Sequence, residues 1–260
     1  MHLYEWGDRR GRPLLYWDGL GGTGLHANEI GPLLARDYGF HMLAPDPPGH
    51  GRSPALPLDD YLPSRLAALA AELVPGRTGF LGFSVGAEVG CAFAARFPER
   101  TAALVLVDGG HWDFADLRGA DPSALPRDER YASWDAYFAE QAADLGRWTP
   151  ELEAAHRATM RELNGEIVPI LEPAVAAAIS HGNVVEPTVA THAALHDSGV
   201  PVLLVLPDTH RWDEQVARFQ RNVPQLEVRR LATAVHDLVS NAPEELARVI
   251  GDYAATCARY

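Results

Sequence analysis

The stretch LGFSVGAEVG, residues 81–90, places Ser84 between Gly82 and Gly86, with an apolar run before it and an alanine-rich, helix-like run after it. A serine at a strand-to-helix junction sits on a tight turn, where positions two before and two after meet close backbone and tolerate only small side chains. Raised above the sheet edge at a helix N-terminus, its hydroxyl meets a dipole that favours developing negative charge. The chemistry this predicts is nucleophilic attack on a carbonyl.

A serine hydroxyl is a poor nucleophile until a base takes its proton, and histidine titrates in the right range. The chain has 11 histidines, so position must select among them. His236 follows the strand-like run EVRRLA, precedes the terminal helix pattern PEELARVIGDYA and lies downstream of the serine, which makes it the candidate base. His50 reads as structural within a glycine-rich loop, and His26 lies near a second such loop without an assigned role. His192 and His196, four apart on a helical pattern, could share a metal, yet neither an HExxH motif nor a third ligand accompanies them. No metal and no cofactor is expected.

The elements that must position these groups can be read from the apolar pattern. Runs at residues 14–17, 41–46, 78–83, 102–108 and 201–206 alternate with helix-like stretches such as YLPSRLAALAAEL. Continuous apolar strands separated by helices predict an α/β fold, a mostly parallel central sheet with helices on both faces. The alternation stops between about Trp112 and Ala190, where several helices interrupted by Pro122, Pro126, Pro150, Pro169, Pro173 and Pro187 are expected. This predicts a helical cap at residues 112–190 inserted into a core of residues 1–111 and 191–260. The cap is rich in aromatics, Phe114 and Trp148 among them, and Tyr131, Trp134 and Phe138 share the spacing of one helical face. They would pack the insertion onto the core or form an apolar lid.

Composition narrows the function. All 22 basic residues are arginine, so Schiff-base, pyridoxal and P-loop chemistry are excluded for want of a lysine amine. A net charge of −13 repels phosphate backbones and anionic lipid, so neither nucleic acid nor a membrane is an expected partner. The first residues carry no apolar signal region, and a cytoplasmic location is the default expectation. Cys91 and Cys257, the two cysteines, imply no disulfide framework.

Four motifs together resemble the α/β-hydrolase fold superfamily, specifically its serine esterases and thioesterases: the GFSVG elbow, DPPGHGRS at residues 46–53, DGLGGTG at 18–24 and HDLVSNAP at 236–243. The resemblance implies a Ser, acid, His triad in chain order, with an oxyanion hole made by the backbone amides of Leu20 and Val85. Two departures stand out. Asp18 occupies the position where the family usually carries histidine, and a carboxylate beside an oxyanion is unfavourable unless it points away. The family's usual acid position, after the run PVLLVL, holds His210, with Asp208 two residues early. Asp108, at the C-terminal edge of the strand after the nucleophile helix, matches the placement found in a minority of the superfamily and is favoured as the acid, with Asp208 and Asp213 as alternatives.

Rival readings rest on the same residues. Gly19, Gly21 and Gly24 also satisfy GxGxxG, with Asp46 22 residues beyond, the spacing of a dinucleotide fingerprint and its ribose acid. A reductase leaves the serine elbow and the His236 loop unexplained. Lyases, cyclases and ligand-binding proteins also occur on the resembled fold. The expectation is a serine hydrolase acting on a small-molecule ester or thioester through Ser84, His236 and Asp108.

Overall fold

The computed structural model describes residues 1–113 and 129–257. Phe114, Pro122 and Pro126 lie outside the described residues. The order of elements to the end of the first sheet half is β1 (Leu3–Trp6), β2 (Arg12–Trp17), α1 (Ile30–Tyr38), β3 (Phe40–Pro45), α2 (Pro63–Leu73), β4 (Thr78–Phe83), α3 (Val85–Arg96) and β5 (Thr101–Val107). An insertion follows: α4 (Trp134–Leu145), α5 (Pro150–Thr159), β6 (Met160–Leu163), β7 (Glu166–Pro169) and α6 (Pro173–Val185). The chain closes with α7 (His192–Ser198), β8 (Val202–Pro207), α8 (Asp213–Asn222), β9 (Leu226–Leu231), α9 (Leu238–Asn241) and α10 (Pro243–Thr256).

Seven strands form one sheet in the order β1-β3-β2-β4-β5-β8-β9. Only β1 runs antiparallel, pairing Leu3 with Pro45 and Trp6 with Met42; the other pairs are parallel. Side chains alternate across the sheet with the period of two that a strand imposes. Leu15, Trp17, Phe80, Leu104 and Leu204 face a core packed by α2, α3 and α8 through Leu66, Val89 and Phe219. Leu14, Tyr16, Leu81, Val105 and Val205 face the opposite core, closed by Ile30 and Leu34 of α1 and Leu246 and Ile250 of α10. Burial on both faces explains why these strands read as unbroken apolar runs. Strand β1 escapes that pattern because it is an edge strand of alternating half-buried residues.

Helices dominate the insertion, but it also contains a β-hairpin that the sequence reading did not anticipate. Strands β6 and β7 pair antiparallel around Asn164 and Gly165, both at positive φ (54° and 82°), the Asn-Gly turn that suits a two-residue hairpin. Tyr131 does not belong to the helical face assigned to it. Ser133 caps α4 by accepting from the Ala136 amide, so the helix begins after Tyr131, which instead bridges to Ile167 of the hairpin. The aromatics still gather there, with Tyr131, Trp134 and Phe138 packed around Tyr137, Met160 and Ile167. Pro150 and Pro173 start α5 and α6 at the first helical turn, where a missing amide proton is harmless. Trp112 stacks on Trp212, which opens α8, with ring centroids 6.1 Å apart.

Candidate active site

Ser84 joins β4 to α3 at φ 51° and ψ −124°, a conformation a non-glycine residue holds only where its surroundings demand it. The demand is steric. A methyl group on Gly82 would lie 2.3 Å from the Gly86 carbonyl oxygen, and one on Gly86 would lie 2.0 Å from that of Trp17. The end of β2, the turn and the first coil of α3 therefore pass closer than any side chain allows. The Ser84 amide donates to the Val107 carbonyl at 2.9 Å, fixing the turn to the end of β5.

The imidazole of His236 lies over this turn. Its Nε2 is 3.1 Å from Ser84 Oγ, placed to accept the hydroxyl proton, and its Nδ1–H donates to Asp108 Oδ2 at 2.6 Å. Asp108 leaves β5 at φ 39°, and Gly109 has no Cβ to strike the Ser84 carbonyl, which a methyl there would meet at 2.2 Å. Asp108 is buried, its side chain 9% exposed, while the imidazole is 54% exposed. The two alternative acids point elsewhere. Asp208 is exposed, and Asp213 pairs with exposed His210 at 2.8 Å and with Arg230 at 2.5 Å.

Below Asp108 lies a residue the sequence reading passed over. Glu88 of α3 is buried and accepts from the Gly110 amide at 3.1 Å, bracing the turn that aims Asp108. Burial pushes its carboxyl up to about 8, only partly opposed by that hydrogen bond, so it is neutral at pH 7. A lone glutamate inside an alanine-rich helix facing the sheet is the signal that could have revealed it.

The turn carrying Leu20 packs on the serine. A Cβ at Gly19 would sit 3.0 Å from Ser84 Cβ, and Gly22 closes the turn through its amide to the Gly19 carbonyl at 3.2 Å. Val85 is the first residue of α3, where amides have no intrahelical acceptor. The Asp18 carboxylate folds back against this turn, beside Gly22. It is buried, and its Oδ1 accepts from Tyr16 Oη at 2.8 Å, the Gly19 amide at 2.8 Å and His26 Nδ1 at 3.0 Å. The other nitrogen of His26 is 3.1 Å from Asp237 Oδ2 and 2.7 Å from Ser240 Oγ. Burial alone would lower the pKa of His26, but the two carboxylates overcome it and hold the ring well above the usual histidine range.

A cavity of about 620 Å³ opens beside these groups, within the size of small-ligand sites. Its floor is the 18–22 turn with Phe83 and Asp237, the chain neighbours of Ser84 and His236. Its roof comes from the insertion: Tyr137, His156, Met160 and Leu171 are among its lining residues. His156 bonds Tyr137 Oη at 3.0 Å, and burial pushes its ring down to about 4, so it is uncharged at neutral pH.

The remaining sequence candidates serve the fold. Asp46 is fully buried, with its oxygens accepting from the amides of Gly24 at 3.0 Å and Arg52 at 2.9 Å, which ties two loops together. His50 is buried with Nδ1 bonded to the Pro48 carbonyl at 3.0 Å. His192 stacks on Phe219 at 4.4 Å, and among the described residues no three His, Cys, Asp or Glu side chains cluster to hold a metal ion. Cys91 and Cys257 are free thiols. No helix among the described residues is long and apolar enough to cross a membrane.

A family model of the alpha/beta hydrolase fold matches residues 12–167, more than half of the chain and the elbow with it. The chain belongs to the alpha/beta hydrolase fold family. Within that family, a pimeloyl-[acyl-carrier protein] methyl ester esterase of Chromobacterium violaceum is 36% identical over 91 residues, covering 34% of each chain. The curated relatives are matched over only 29% to 38% of their own length. Among solved alpha/beta hydrolases, a thioesterase domain from the curacin biosynthetic pathway superposes with a TM-score of 0.79 at 19% identity, over 95% of this chain and 93% of its own. E-2-(acetamidomethylene)succinate hydrolase gives 0.80 at 20% identity, over 98% and 94%. These likenesses extend the fold across the insertion, beyond the reach of the family match.

Proposed function

We propose that this protein is a serine hydrolase that cleaves small-molecule esters or thioesters through an acyl-enzyme on Ser84. The observation that carries the reading is the unbroken hydrogen-bonded line from Asp108 through His236 to a hydroxyl held on a strained turn. His236 takes the Ser84 proton as Oγ attacks the carbonyl carbon, and Asp108 orients the ring and stabilises the imidazolium. The amides of Leu20 and Val85 donate to the oxyanion. Collapse of the tetrahedral intermediate expels the alcohol or thiol, which receives the proton from His236. Water, deprotonated by the same imidazole, then attacks the acyl carbonyl and frees the acid, returning the proton to Ser84.

The residues 112–190 act as the cap in this reading. Met160, Pro169, Leu171 and Phe83 supply an apolar wall that suits the hydrocarbon part of an acyl ester. The methyl ester esterase among the relatives points to the same reaction class.

Fluorophosphonate labelling with ester turnover tests the proposal. Wild-type protein is expected to label and to hydrolyse p-nitrophenyl acyl esters, and Ser84→Ala to do neither. Labelling that persists in the variant, or is absent from folded wild type, removes the assignment.

A further inference from the structure

We infer that His26 is a positioning residue for the proposed reaction, a brace whose two ring nitrogens tie the oxyanion turn at Asp18 to the base loop at Asp237. The inference rests on the serine-hydrolase reading and adds to it the element that holds donors and base in register.

The two anchor points are adjacent in sequence to the chemistry. Asp18 directly precedes Gly19 and Leu20, and the same carboxylate oxygen that accepts from His26 also accepts from the Gly19 amide. Asp237 directly follows His236, and its other oxygen accepts from the Ser240 amide at 2.9 Å, capping α9. A shift of either carboxylate therefore moves the Leu20 amide or the His236 ring. The edge of the His26 ring also meets Phe83, the residue before Ser84, with centroids 5.7 Å apart. One side chain thus contacts the chain neighbours of Ser84 and His236 and the residue two before Leu20.

Bonding to both carboxylates takes both ring protons. Carboxylates only accept, so a neutral imidazole, with one N–H, would leave Asp18 or Asp237 facing a bare nitrogen lone pair. The titratable groups around the ring are Asp18 and Tyr16 from the end of β2, Asp237 from the base loop and His156 from α5. Two carboxylates against one uncharged histidine leave the cation favoured, and that cation, with hydrogen bonds from Ser240, keeps Asp237 well below the usual carboxylate range despite its burial. The cation also answers the difficulty posed by Asp18. A second buried carboxylate beside a developing oxyanion would oppose catalysis, and His26 neutralises it while the Gly22 position, where a methyl would meet Asp18 Oδ2 at 2.1 Å, leaves it room to turn inward.

The test measures kcat and KM for p-nitrophenyl butyrate, and the second-order rate of fluorophosphonate labelling, in wild type, His26→Gln, Asp18→Asn and the double variant. Misplacement by a fraction of an ångström lowers kcat and the labelling rate on the order of 10- to 100-fold, with KM within about threefold. Asp18→Asn is expected to cost activity in the wild-type background and little more once His26 is glutamine, because the two act as one unit. A ¹⁵N spectrum of wild type should show the His26 ring still doubly protonated well above the usual histidine range, a readout that needs no variant to fold. The inference is overturned if His26→Gln is folded with wild-type kcat and labelling, if the two substitutions add, or if the ring titrates near 6.5. Wild type that labels while His26→Gln labels equally fast removes the brace alone; folded wild type that never labels removes the hydrolase reading and the brace with it.

Discussion

Replacing Asp108 with asparagine asks how much of the reaction depends on a buried charge. Asparagine keeps the shape and can still accept from His236 Nδ1, so the change is mainly the loss of a negative charge that stabilises the imidazolium formed as Ser84 attacks. With charge centres about 4 Å apart, that attraction is about 1 kcal/mol in water and about 4 kcal/mol at an effective dielectric near 20. Asp108 is 9% exposed and its partner 54%, which puts the pair nearer the second figure, at about 3 kcal/mol. At about 1.4 kcal/mol per tenfold, kcat/KM should fall on the order of 100-fold. The assay is steady-state hydrolysis of p-nitrophenyl butyrate at pH 7.5, with Asp208→Asn in parallel and circular dichroism to establish folding. Exposed Asp208 should matter less than about twofold. Folded Asp108→Asn within threefold of wild type, or an equal loss in Asp208→Asn, would refute the reasoning and return the acid to the loop after β8.

Other consequences follow from the same geometry. Ser84→Gly should be inactive yet more stable by about 1 kcal/mol in urea unfolding, since glycine holds φ 51° without strain; equal or lower stability would mean that the turn stores none. Gly86→Ala, whose methyl would lie 2.0 Å from the Trp17 carbonyl, should cost about 1–3 kcal/mol or more and lower kcat by shifting the oxyanion turn, both read on the same protein. Glu88→Gln should gain stability over wild type as pH rises. A carboxyl raised from 4.5 to about 8 stays protonated in the folded state while the unfolded chain ionises, so wild type loses on the order of 4 to 5 kcal/mol between those pH values. Denaturant titrations from pH 4.5 to 9 should show the gap widen and then level above about 8, and a constant gap would exclude a buried neutral Glu88.

What the sequence by itself determined is what short-range sterics and periodicity can carry. The serine elbow was legible because its demand for glycine falls on residues two positions away, and the parallel sheet because strands buried on both faces leave continuous apolar runs. The Asn-Gly turn of the β6–β7 hairpin was equally local, but its strands are only four residues each, too short a pattern beside the surrounding helices. Edge strand β1 was lost for the same reason. Which carboxylate meets His236, and what His26 bonds, depend on the tertiary structure alone. Three aspartates could serve His236 by position, and only the point where β5 ends and turns on Gly109 brings Asp108 to 2.6 Å of a ring 128 residues away. The bonding of His26 was invisible because its partners stand 8 positions before it and 211 after it. A hydrogen bond is decided by distances of a few tenths of an ångström, and between residues so far apart in the chain those distances exist only once the sheet has brought the loops at its strand ends together.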